Sequence, residues 1–111
     1  RKSQREQQIY KMQQNTITIQ EEAFTQQIET AATRILNTIE KLKKLIEKDN
    51  KIIALRQNIL KTASSQLDNG VITSTDYISK LNAKTQAELN RKIHEIELIQ
   101  AKINYLTIIG N

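Results

Sequence analysis

The sequence predicts an all-α fold, a long antiparallel coiled-coil helical hairpin with unequal arms, and three observations carry that prediction. Apolar residues recur at steps of three, four or seven from Ile28 to Leu67, the period of a helix that buries one stripe against a neighbour. The 111 residues include only two glycines, Gly70 and Gly110, and no proline, so the means of interrupting a helix are concentrated at one interior point. Gln, Lys, Ile, Asn, Glu and Thr fill most positions while aromatics make up 4%, a composition that suits long helices and leaves little for a compact core.

The first arm is expected to run from about residue 3 to 68. Its first twenty residues are polar and rich in Gln, with Ile9, Met12, Ile17 and Ile19 as the only sizeable aliphatics. There Thr16-Ile17-Thr18-Ile19 alternates in a strand-like way and Thr18 with Glu21 could form a fresh capping pair, which leaves open a break or a new start at this point. Beyond it the seam is firm: Ile28, Ala32, Ile35, Ile39, Leu42, Ile46, Ile53, Leu60, Ala63 and Leu67 keep heptad spacing. A second row at Ala31, Leu45, Ile52, Leu55 and Ile59 lies beside it, as in a helix with neighbours on two sides, in a bundle or a closed ring. Asp49 and Arg56 interrupt the first seam, where polar residues more often set register than carry chemistry.

The turn is expected at residues 69–73. Gly70 is the one interior residue that readily takes the left-handed conformation ending a helix. Three residues later Thr73 and Asp76 form a Thr-x-x-Asp pair that reads as a reciprocal helix-start cap, with Ile72 placed to staple onto Tyr77. A helix that stops and another that starts within about four residues form an antiparallel hairpin. The apex residues Val71 and Ile72 are apolar and β-branched, where a solvated turn would normally carry Asn, Asp, Ser or Gly. That choice points to a partner at the tip.

The second arm is expected over about 74–109, with Gly110 as its stop. Its apolar positions include Ile78, Leu81, Leu89, Ile93, Ile96, Ile99, Ile103 and Leu106, flanked by Leu98, Ala101, Tyr105, Ile108 and Ile109, again a broad face. At 1.5 Å per residue the arms measure roughly 100 Å and 50 Å, so about half of the first helix has no partner within the chain.

Charge and chemistry narrow the function classes. The formal charge of +5 comes from 17 basic and 12 acidic residues, and much of it lies between Lys41 and Lys61. Those basic residues interleave with apolar ones at helical spacing without aromatic company, the pattern of a solvated helix face rather than a nucleic-acid patch. His94 is the only histidine and there is no cysteine. Neither Glu21-Glu22 nor Glu95-x-Glu97 repeats the Glu-x-x-His spacing of a di-metal bundle. Tyr10, Tyr77 and Tyr105 are too scattered for a base-stacking platform. No catalytic residue, cofactor site or metal site is read from the sequence, and His94 reads as a surface or interface residue. No apolar run approaches the ~20 residues of a membrane span. The Arg-Lys-Ser start has no apolar segment behind it to make a signal peptide, so an exported parent would carry this chain as an internal fragment.

From Gln66 to Gly110 the chain resembles the periplasmic α-helical hairpin of TolC-type outer membrane efflux proteins. The matching residues are Leu67 three before Gly70, the pair Val71-Ile72, the hydroxyl of Thr73, Asp76 six after the glycine, the run Gln86-Ala87-Glu88-Leu89-Asn90, then Ala101, Tyr105 and Gly110. Unequal arms fit as well, because in that family one long helix passes two shorter ones stacked end to end.

The resemblance implies a homotrimeric channel of the outer membrane, with this segment on its periplasmic side. Gly70, Val71 and Ile72 would be the tip that docks a membrane-fusion adaptor serving an inner-membrane pump, with Leu67, Thr73 and Asp76 in support. Where some members carry an aperture-closing tyrosine and arginine, this sequence has Leu67 and Ile72, which departs from a polar latch. The overhanging arm is expected to pair with a second copy as an antiparallel dimer. The rival readings are an adaptor's own hairpin or a generic coiled-coil scaffold and, further off, a basic helical nucleic-acid binder.

Overall fold

A computed structural model describes residues 2–110 of the chain. It contains two helices, α1 over Lys2–Asp68 and α2 over Ser74–Ile108, which fold back on each other as an antiparallel hairpin. The molecule measures 102 × 18 × 17 Å, the width of two helices side by side. Its radius of gyration of 27.9 Å is about twice the ~13 Å of a compact domain of this length. No strand occurs among the described residues.

α1 is continuous through Thr16-Ile17-Thr18-Ile19, so of the two courses left open there it is the unbroken helix over about 3–68 that forms. The Thr16 and Thr18 hydroxyls donate to the carbonyls of Met12 and Gln14, four residues back, at 2.9 and 3.0 Å. A threonine bonded in this way remains within the helix instead of capping a new one. α2 ends one residue before the expected Ile109, whose N–H donates to the Tyr105 carbonyl, with Gly110 beyond it at φ 95°.

The α1 seam is the one its spacing predicts. Ile39, Leu42, Asp49, Ile53 and Ala63 are buried, while Ile28, Ala32, Ile35, Ile46, Leu60 and Leu67 are half-buried. Ile39 and Leu42 pack against Ala101 of α2, with Ile35, Leu45, Leu98 and Tyr105 closing around them. Each large aliphatic side chain buried here contributes about 1.5–3 kcal/mol relative to exposure. Arg56, the other interruption of the seam, stays exposed.

Of the broad apolar face of α2, it is the flanking set that meets α1. The face turned to α1 is Tyr77, Lys80, Lys84, Ala87, Arg91, His94, Leu98, Ala101, Tyr105 and Ile108, at unbroken steps of three and four and none of them exposed. The apolar row Ile78, Leu81, Leu89, Ile93, Ile96, Ile99, Ile103 and Leu106 is 37–58% exposed. At about 100° per residue that row is centred on the side of α2 roughly opposite the seam. α2 therefore packs on α1 with small and polar residues over Lys80–His94 and with Leu98, Ala101, Tyr105 and Ile108 beyond, and keeps most of its isoleucines turned outward.

Beyond the end of α2 the first helix continues alone. Every described side chain from Ser3 to Gln27 is exposed, so the inequality of the arms that the sequence predicts is present.

Candidate functional site

The tip is built by backbone chemistry. Gly70 sits at φ 71°, and its N–H donates to the Leu67 carbonyl at 3.0 Å while the Val71 N–H reaches the Gln66 carbonyl at 2.8 Å. This pair of bonds is the Schellman termination, which uses carbonyls the helix end would otherwise leave unmet. The Asn69 side chain adds a bond to the Ser65 carbonyl at 2.9 Å. α2 then starts with a capping box: Thr73 Oγ1 accepts from the Asp76 N–H at 3.1 Å, and the Thr73 N–H donates to Asp76 Oδ2 at 3.2 Å. Asp76 also places a negative charge in the first turn of α2, where the helix dipole favours it.

The six residues singled out at the tip thus separate by role. Gly70, Thr73 and Asp76 make the turn, and Leu67 is half-buried under it. Ile72 is half-buried as well, whereas Val71 is 67% exposed at the apex. A turn fixed by this many bonds presents Val71 in a defined orientation, and nothing in the turn itself uses its side chain.

A second polar constellation lies mid-hairpin, and spacing alone did not bring its members together. Asp49, buried in the α1 seam, meets His94 of α2, with Nδ1 2.5 Å from Oδ2. A carboxylate accepts, so Nδ1 is the protonated ring nitrogen of this pair. Next to it Arg91 Nη1 donates to Asn50 Oδ1 at 2.9 Å. Arg91 Nε is sealed from solvent and lies 3.5 Å from Glu95 Oε1 without the alignment of a hydrogen bond. Two consecutive residues of α1 are thereby tied to two α2 residues one turn apart. A heptad shift that brought Asp49 to Ala101 would bury its carboxylate beside Leu98 and Tyr105 without its histidine, at a cost of several kcal/mol. The constellation fixes register, the role expected of Asp49, and it makes His94 an interface residue.

The basic residues between Lys41 and Lys61 are solvated. Lys41, Lys43, Lys44, Lys48, Lys51, Arg56 and Lys61 are all exposed, with Lys43 3.6 Å from Glu40 as a surface ion pair. Among the described residues no group of three or more His, Cys, Asp or Glu is placed to hold a metal ion, and no helix is long and apolar enough to cross a membrane. Compared with known proteins, the chain matches no family model, no curated protein and no solved structure.

Proposed function

We propose that the chain is a periplasmic wall segment of a TolC-like outer membrane efflux channel, a helical hairpin whose tip docks a membrane-fusion adaptor. The observation that carries this reading is the two-sidedness of α2. One row of the helix rests on α1, and a second, richer in isoleucine, faces away on roughly the opposite side and remains exposed. A helix of a two-helix rod needs one such row; a helix held between two neighbours in a layer or ring needs two.

The tip adds a surface for the adaptor. Val71 is exposed on a rigid capped turn with Ile72 beside it, and a small apolar anchor pair of this kind can dominate an interface. Nothing in the side-chain arrangement calls for catalysis, so the reading is that of a non-enzymatic conduit component, homotrimeric in its full-length form.

The test is made in cells, with the hairpin in its full-length channel. Val71→Asp combined with Ile72→Asp should raise drug susceptibility at equal expression, because two charges at a buried apolar contact lose affinity steeply. Unchanged susceptibility removes the docking role.

A further inference from the structure

Along α1 the apolar positions change row where α2 ends. In the hairpin the seam facing α2 is apolar, but its continuation into the overhang reads Glu21, Thr18, Gln14, Lys11 and Gln7. A different row stays apolar throughout: every seventh residue from Tyr10 to Ile59 is apolar except Thr38. In the overhang it is open, with Ile17 46% and Phe24 64% exposed, and in the hairpin Ile52 is still 37% exposed. This strip runs about 75 Å along one side of the helix, and α2 leaves much of it uncovered.

We propose that a second copy of this chain covers the strip, packed antiparallel along the whole of α1. Two-fold symmetry requires that residue i meet j while j meets i, and the row satisfies this about its midpoint. Tyr10 falls opposite Ile59, Ile17 opposite Ile52, Phe24 opposite Leu45, and Ala31 opposite Thr38. Charge sets the direction. Residues 12–33 carry three acidic and no basic residues, whereas residues 36–57, which lie opposite them in this pairing, carry six basic and three acidic. An antiparallel pair places negative against positive, with Glu21 opposite Lys48, while a parallel pair sets each stretch against its own sign.

Size agrees with stability. A strip ~75 Å long and ~10 Å wide on each copy gives about 1,500 Å² in total, within the range of specific stable interfaces. The overhang of each copy then lies along the hairpin of the other, and the dimer exceeds the 102 Å of one chain by only about 5 Å. The proposal concerns the 111-residue chain itself and stands independently of adaptor docking.

Sedimentation equilibrium of the 111-residue chain should give twice the 12.8 kDa chain mass. Ile17→Asp with Phe24→Asp, both on exposed positions, should weaken association by more than about tenfold while helicity is retained. Because the chain has no cysteine, direction is read by oxidation. Tyr10→Cys mixed with Ile59→Cys should give a disulfide dimer, and Tyr10→Cys alone should not. A monomeric mass, a higher oligomer, a dimer indifferent to the paired aspartates, or crosslinking by Tyr10→Cys alone would each overturn the proposal.

Discussion

The two halves of α1 make an instructive contrast. Both are helical from Lys2 to Asp68 without interruption, yet Ile35–Leu67 keeps its apolar residues on the seam that meets α2, and Ser3–Gln27 puts polar residues there. Helix propensity is met in both halves. The difference lies in which row of positions is apolar, and that row follows the neighbour each half has. In long helices most stability comes from packing of an amphipathic face rather than from propensity. An apolar row that persists where the intrachain partner is gone therefore reports a contact made elsewhere.

The largest expected effect compares the halves directly. Leu42→Ala removes a side chain only 5% exposed in the seam and should cost about 2–3 kcal/mol in urea unfolding of the hairpin. Ile19→Ala, at a position 65% exposed and outside both apolar rows, should stay within about 0.5 kcal/mol. Equal losses at the two positions would mean that the overhang packs as tightly as the hairpin, and the contrast would be gone.

The next effect sharpens the reason the hairpin has a single register. Asp49→Ala, which strands His94 without its carboxylate, should cost about 1–2 kcal/mol. Replacing Asp49 and His94 together by leucine should recover that loss, since apolar replacement of a buried polar pair is often neutral or better. The double variant should also admit a shifted register, visible as extra amide peaks in the NMR spectrum. A single spectrum from a stable double variant would assign register to the turn alone.

These two comparisons show what was legible in the sequence. The α1 seam was, because Ile39, Leu42, Ile53 and Ala63 are apolar and evenly spaced. The turn was as well, because Gly70, Thr73 and Asp76 act through local backbone bonds that sequence neighbours determine. The α2 seam was legible only at its far end, where Leu98, Ala101, Tyr105 and Ile108 are apolar. Nearer the turn its contact residues Lys80, Lys84, Ala87, Arg91 and His94 are small or polar, and the isoleucines on the other side dominate any hydropathy pattern. Apolar count assigns the face with the most to bury, which in α2 is the outward one. A usable signal was Asp49 itself: a carboxylate in the seam implies a polar position opposite, and counting outward from the apex pair Val71-Ile72, 22 residues along each arm, goes from Asp49 to His94. The continuity of α1 through Thr16 and Thr18 was obscured by β-branched alternation, which hydroxyl bonds to the preceding turn accommodate.

The tip gives a smaller effect, confined to backbone. Gly70→Ala meets open space, since no atom lies within 4 Å of where its Cβ would sit, so any loss measures the φ of 71° alone. Thermal melting should report about 1 kcal/mol. Gly70→Asn should lose less, because asparagine tolerates the left-handed region better than alanine does. Equal melting of the two variants would show that the turn relaxes to a different backbone.

The smallest effect returns to the overhang. Thr16 and Thr18 are exposed β-branched residues in a stretch of α1 that no part of the same chain covers, so alanine at either should stabilise the local helix by about 0.5 kcal/mol through propensity alone. Amide exchange over residues 12–22 should slow by roughly twofold per substitution. The same change at Thr38, whose hydroxyl donates to the Arg34 carbonyl at 3.1 Å on a part of α1 that α2 already holds, should leave local exchange unaltered. There, opening requires the hairpin to separate, and propensity contributes little to that cost. Equal slowing at Thr16 and Thr38 would mean that packing protects neither half and that the seam is weaker than its buried residues indicate.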